Sequence, residues 1–178
     1  GYKEYSQKIL QQSQRASQSK ADFKDIVPTI VKMPAIESYY IRNKGYNINI
    51  KETWQKLQTW ILTNDIISYK RIALFHDNPT ITPLNECQYI GCVMVEDNQE
   101  VKSDRLPKFK IAEGVYAKFD LKGKTGDVLP FIHWVYHEWL PKNEYETTTK
   151  PSYAIYNKID FLDESNEFDL SFYVSINF

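Results

Sequence analysis

The sequence predicts an α+β domain in which one β-α-β-β unit occurs twice, with two main helices on one face of an antiparallel sheet. The first observation behind this is a duplication. Ile30–Gly45 (IVKMPAIESYYIRNKG) lies over Lys108–Gly123 (KFKIAEGVYAKFDLKG) without a gap, at an offset of 78. Lys32 falls on Lys110, Met33 on Ile111, Ile41 on Phe119, and Lys44-Gly45 on Lys122-Gly123. Carried downstream, the same offset sets Trp54 on Ile132, Leu57 on Val135, Ile61 on Trp139 and Leu62 on Leu140. It then sets Ile90 on Phe168, Cys92 on Leu170 and Met94 on Phe172. Two copies of a unit this long predict a duplicated domain rather than a solenoid. The second observation is periodicity: in both copies the apolar pattern passes from strand-like alternation to a helical stripe and back.

The elements follow in order. Gly1–Asp25 is rich in Gln, Ser and Lys, with few large apolar residues after Leu10. Such a segment cannot bury enough surface to fold alone, so residues 1–26 read as a linker or arm and 27–178 as the folded domain. A first strand ends near Lys-Gly in each copy. The first helix carries Trp54, Leu57, Trp60 and Ile61, the i, i+3, i+4 spacing of an amphipathic helix. The second carries Val128, Phe131, Ile132, Val135 and Trp139 and stops at Leu140-Pro141. Two strands close each copy: Tyr69–Phe75 and Gln88–Val95, then Ser152–Ile159 and Phe168–Ile176 with a turn at Asp163–Asn166.

Composition narrows the function. The formal net charge is −1, which gives no electrostatic case for binding nucleic acid directly. No apolar run approaches the ~20 residues that span a bilayer, and no secretory signal is visible. Cys87 and Cys92, five apart on one predicted strand, should point to opposite faces and not pair, and the cytoplasm is the simplest compartment. Aromatic residues reach 15% (13 Tyr, 9 Phe, 4 Trp), which implies a bulky core or a pocket lined with rings. His133 and His137 sit four apart on the second helix, but no third ligand accompanies them, so neither a metal nor a cofactor is expected. No phosphate loop, Ser-His-Asp spacing or nucleophile elbow appears.

Several segments resemble the GyrI-like family, the effector-binding module of AraC-type and MerR-type bacterial transcription regulators. VKMPAIESYYIRNKG resembles its first strand, and IAEGVYAKFDLKG its "I-P-x-G-x-Y-A-x-F…G" element. HWVYHEWLPKNEYETTTKPSYAIY resembles its "Y-x-E-W-L-P-x-S-G-Y-E…P-x-x-E-x-Y" signature. The resemblance covers roughly Val27–Phe178. It implies a curved sheet carrying the two helices, with a ligand cleft between the copies near a pseudo-twofold axis. It further implies an AraC-type regulator whose DNA contacts are made by a helix-turn-helix domain outside this chain, with a homodimer compatible with that arrangement. The arm GYKEYSQKILQQ resembles the segment that follows such a reader.

Site residues follow from the resemblance. Trp54 falls on a cleft aromatic of the family's first helix, although its place on the apolar stripe suits a core residue equally. Tyr89 falls on a strand tyrosine that reaches the cleft, or is a half-buried sheet residue. Trp134 and Tyr156 complete the first set of lining residues, with Tyr40, Tyr116 and Phe168 next. The chain departs from the family at Ala154, which stands where "P-x-x-E-x-Y" has its acid. A buried carboxylate is tolerated where it meets a cation, so its loss argues for an apolar or aromatic ligand. It also removes the base that a hydrolase of this family would use, leaving Glu138 as the substitute acid. A hydrolase of electrophilic small molecules and a stand-alone gyrase-inhibitor-like interaction protein remain the alternatives.

Overall fold

A computed structural model describes residues 23–46, 48–102, 105–159 and 167–177. The arm expected over residues 1–26 falls outside these as far as residue 22, as does the turn expected at 163–166. The first copy comprises β1 (Thr29–Met33), β2 (Ile36–Lys44), α1 (Ile50–Thr63), β3 (Tyr69–Phe75) and β4 (Gln88–Val95). The second comprises β5 (Lys108–Ile111), β6 (Gly114–Lys124), α2 (Val128–Trp134), β7 (Glu146–Thr147), β8 (Ser152–Ile159) and β9 (Glu167–Asn177). A π-helical turn (Val135–Trp139) and a last helical turn, α3 (Leu140–Lys142), prolong α2. Three of the four closing strands match their predicted bounds. The single first strand expected in each copy is two strands, interrupted at Pro34-Ala35 and at Ala112-Glu113.

That interruption makes the architecture. The sheet order is β1-β6-β9-β8-β3-β4-β2-β5, with β7 added to the end of β9. Each copy therefore hands its first short strand to the other: β1 pairs with β6, and β5 pairs with β2. Yet β1 and β2 are joined by two residues, so Met33 and Ile36 lie within ~11 Å. In a flat sheet six strand spacings would hold them ~29 Å apart. Only a sheet curled until its edges approach satisfies both, and the result is a half-barrel.

Curling gives two cores. On the helix side, α1 lays Trp54, Leu57, Trp60 and Ile61 on the sheet, and α2 with its π turn lays down Phe131, Ile132 and Val135. Inside the curl, Ile72, Cys92, Tyr116 and Tyr153 are fully buried with no helix above them. The face opposite the helices is thus closed by the sheet itself.

The offset of 78 does not survive the whole chain. It holds for the first strands, since Tyr39 and Ala117 head equivalent positions in β2 and β6. Near the helix ends it becomes 79: Asn64 caps Trp60 through Nδ2 and N, and Asn143 caps Trp139 in the same way. Asp65 and Glu144 then both turn with positive φ (55° and 60°). The extra residue is the one that a π turn absorbs. It pairs Ile61 with Leu140, both buried, whereas the offset of 78 had pointed at Leu62, which is 67% exposed. By the last strands the offset is 81. Tyr39 faces Val93 across β2–β4, and Ala117 faces Val174 across β6–β9. An odd correction flips a strand face. Ile90 and Cys92 point into the curl, while Phe168, Leu170 and Phe172 point at the helices, so those expected matches are overturned.

Candidate functional site

The corrected offset locates the internal axis. Ala73 on β3 pairs with Ala154 on β8, and the two are 81 apart, so they are counterparts facing each other. Across the sheet, Ala73 also faces Gly91, and Ala154 faces Phe172. The row Gly91–Ala73–Ala154–Phe172 therefore has small residues at the seam and one large ring on one side. Gly91 is required where it stands: a Cβ there would lie 2.8 Å from Leu57 Cδ1 and 3.0 Å from Thr53 Cγ2, because α1 rests on its backbone.

Around this seam the helix side gathers aromatics. Trp54 Nε1 donates to the Tyr89 hydroxyl at 2.8 Å, and the Tyr89 and Tyr156 hydroxyls are hydrogen-bonded to each other. The Trp54 and Tyr156 rings meet edge to face at 5.9 Å. All three are buried, with Trp54 only 2% exposed. Burial raises both phenol pKa values well above the usual range, so the relay is neutral. Phe75 and Phe172 close the floor at 6.0 Å, and Tyr46 packs edge-on to Phe75 and Tyr89. Tyr46 is itself pinned: its hydroxyl donates to the Asp77 carbonyl and accepts from the Asp77 amide. Trp54, Tyr89, Tyr156 and Ala154 thus come together at the seam, and the chain's own rings pack between them. Sequence reasoning missed Tyr46, Phe75 and Phe172. The first lies in a loop without periodicity, and the register slip assigned the last to the wrong partner.

The other expected lining residues lie elsewhere. Tyr40 and Tyr116 point into the curl, Tyr40 edge-on to Phe109 and Tyr116 donating to the Ala112 carbonyl at 2.6 Å. Strand alternation forces this, because their neighbours Tyr39 and Ala117 face the helices. Phe168 faces the helices but stands at the start of β9 beside Gly123, one end away from the seam.

Trp134 and Glu138 belong to a different place, an open cleft of about 420 Å³ between the lead-in to β1 and the far end of α2. Phe23 anchors this lead-in, edge-on to Phe131 at 5.4 Å and tilted on Trp134. Trp139 is held in the cleft by stacking on Tyr145 (5.5 Å, 20°) and by its edge contact with Phe119 (4.9 Å).

His133 and His137 lie 4.3 Å apart between ring centres, and among the described residues no group of three or more metal-ligating side chains forms around them. Cys87 sits in the helix-side core and Cys92 inside the curl, with burial pushing their thiol pKa values up to about 11 and about 12. Among the described residues no helix is long and apolar enough to cross a membrane.

The seam is lined by rings and one hydroxyl relay. Comparison with known proteins agrees with the geometry. The family model described as a GyrI-like small molecule binding domain matches residues 27–176. A DNA gyrase inhibitor of Citrobacter koseri is 24% identical over 129 residues, 71% of this chain and 82% of that protein. The SPbeta prophage-derived putative transcriptional regulator YosT of Bacillus subtilis is 28% identical over 127 residues, 69% of this chain and 83% of that protein. Among solved structures, the C-terminal domain of EcmrR superposes with a TM-score of 0.62 at 16% identity, covering 86% of this chain and 98% of that one.

Proposed function

The chain belongs to the GyrI-like family of small-molecule-binding domains, and from that premise we propose that it is the effector-sensing module of a bacterial transcription regulator, taking a neutral apolar or aromatic ligand at the seam between its copies. The observation that carries this reading is the Trp54–Tyr89–Tyr156 relay over the Ala73–Ala154 pair. Its rings supply stacking area and its hydroxyls orient one polar group. With Ala154 in the acid's position, the relay offers a positive charge no carboxylate partner, only ring faces. The relation to YosT supports a regulator, and the AraC type rests on the resemblance of the N-terminal arm. DNA contacts then fall to a domain outside this chain.

The ligand enters by displacing rings that now fill the seam, so its intrinsic affinity is reduced by the cost of opening. Its effect on an attached DNA reader equals its differential affinity for open and closed seams. Calorimetric titration of 2-naphthol, a neutral ring with one hydroxyl, tests the assignment. Tyr156→Phe keeps the ring and removes one hydrogen bond, so binding should weaken about five-fold, the equivalent of ~1 kcal/mol. Unchanged affinity in both Tyr156→Phe and Tyr89→Phe would remove the seam from the reading.

One relation favours a second reading. The Citrobacter koseri relative is named as a DNA gyrase inhibitor and is spanned over 82% of its length. A stand-alone inhibitor-like role predicts that the purified chain slows DNA gyrase supercoiling; an unaffected rate would leave the sensor alone.

A further inference from the structure

The two copies treat their equivalent tryptophans differently. In the first copy Trp60 packs on the Tyr39 ring at 4.8 Å, and Lys108 Nζ sits 5.5 Å from the centre of that ring. The counterpart of Trp60 is Trp139, fixed by the matching Asn64 and Asn143 caps. The counterpart of Tyr39 is Ala117, and that of Lys108 is Ile30, which pairs with Ala117 across β1–β6. The second copy thus has no ring at the Tyr39 position: Trp139 stacks instead on Tyr145, and both, with Ile30, line the open cleft. Val27 and Ile30 stand on its wall 85% and 47% exposed, which is unfavourable for large apolar side chains until something covers them. About 420 Å³ is within the range of small-molecule sites.

The rim fixes the charge of the occupant. Lys24 and Lys142 both line the cleft, against a single carboxylate, Glu138. Lysine stems can lie along the apolar walls while their ammonium groups reach an anion at the mouth.

We propose that this cleft is a second binding site, for a planar aromatic molecule carrying one anionic group. The ring takes the seat beside Trp139 and Tyr145 that the Tyr39 ring takes on Trp60 in the first copy, and the anion meets Lys24 and Lys142. The site owes nothing to the seam between the copies. A ligand here touches the Lys24–Ile30 segment and the π turn together, so its occupancy ties the start of the domain to the end of α2.

Calorimetric titration with 2-naphthoate, set against neutral 2-naphthalenemethanol, tests this. The parent should bind the acid more tightly than the alcohol. The Lys24→Ala/Lys142→Ala double variant, which changes only exposed side chains, should lose about five- to ten-fold for the acid and leave the alcohol unchanged. Ala117→Tyr, which sets a ring where the first copy has Tyr39, should abolish binding of the acid and leave the alcohol, which the seam accepts, in place. If that variant fails to fold, the lysine variant decides alone. Acid binding untouched by the lysine double variant overturns the proposal. Loss of acid binding in Tyr156→Phe would assign the acid to the seam instead.

Discussion

The two copies share a backbone plan and differ in what they place at the seam. The first contributes Trp54, Tyr89 and Gly91, where the second has Ile132, Leu170 and Phe172. Only at one pair does the polarity reverse, with Phe75 in the first copy and Tyr156 in the second. One half therefore brings hydrogen-bonding rings and a thin strand; the other brings bulk. The difference teaches that duplication fixed the frame while each copy took one part of the work. A site on an internal twofold axis need not be symmetric. The second copy also spends an extra residue in its helix, as the π turn, and opens a cleft where the first copy is filled.

The sharpest way to break this comparison is to remove the bulk. Phe172 is 1% exposed and packs on Phe75 and Phe131. Phe172→Ala should lower stability by about 3–5 kcal/mol in urea unfolding, the cost of an unfilled cavity. A loss under about 1 kcal/mol would mean that the half-barrel collapses onto the gap and that the asymmetry carries little energy.

The converse change adds bulk to the thin side. Gly91→Ala pushes a methyl to within 2.8 Å of Leu57 Cδ1, the tip of a side chain that yields, and 3.0 Å of Thr53 Cγ2. Overpacking of about 1–3 kcal/mol is expected from the same unfolding measurement. A neutral or stabilising outcome would show that α1 is free to lift from the sheet.

The smallest effect separates the relay from its apolar counterpart. Tyr89 and Tyr156 titrate above their unfolded value because burial disfavours the phenolate. Their contribution is fully present below the unfolded value of ~10 and is lost as pH rises above it toward the folded values. Stability should fall in alkali, and each Tyr→Phe change at these positions should flatten that fall by at most about 1.4 kcal/mol per pH unit. Identical slopes in parent and variants would mean that both hydroxyls reach water.

Much of the fold was legible because it is local. Alternation bounded β3, β4 and β8, and the stripe from Trp54 to Ile61 placed α1. The exchange of β1 and β5 was not, since pairing between distant strands leaves no mark in either strand's own periodicity. Pro34 was the one signal that the first strand breaks. The π turn was equally silent: inserting one residue preserves apolar spacing on both sides of it and shifts only their relation. At the seam, Trp54, Tyr89, Tyr156 and Ala154 were legible through family motifs. Tyr40 was misplaced because Tyr39 and Tyr40 are adjacent, and two tyrosines in a row do not say which faces the helices. Trp134 and Glu138 lie not at the seam but on the open cleft at the end of α2.

The crossed first strands have a consequence for how the chain is made. Met33 finds its ladder partner at Gly114, and β6 in turn pairs with β9, the last strand among the described residues. A ribosome delivers β1 long before either exists, so the first copy leaves the exit tunnel with its edge strand unmatched. Domains that finish early during synthesis fold one after another; here nothing can finish until the final strand arrives. The crossed pairing thus ties the completion of each copy's sheet edge to the other copy.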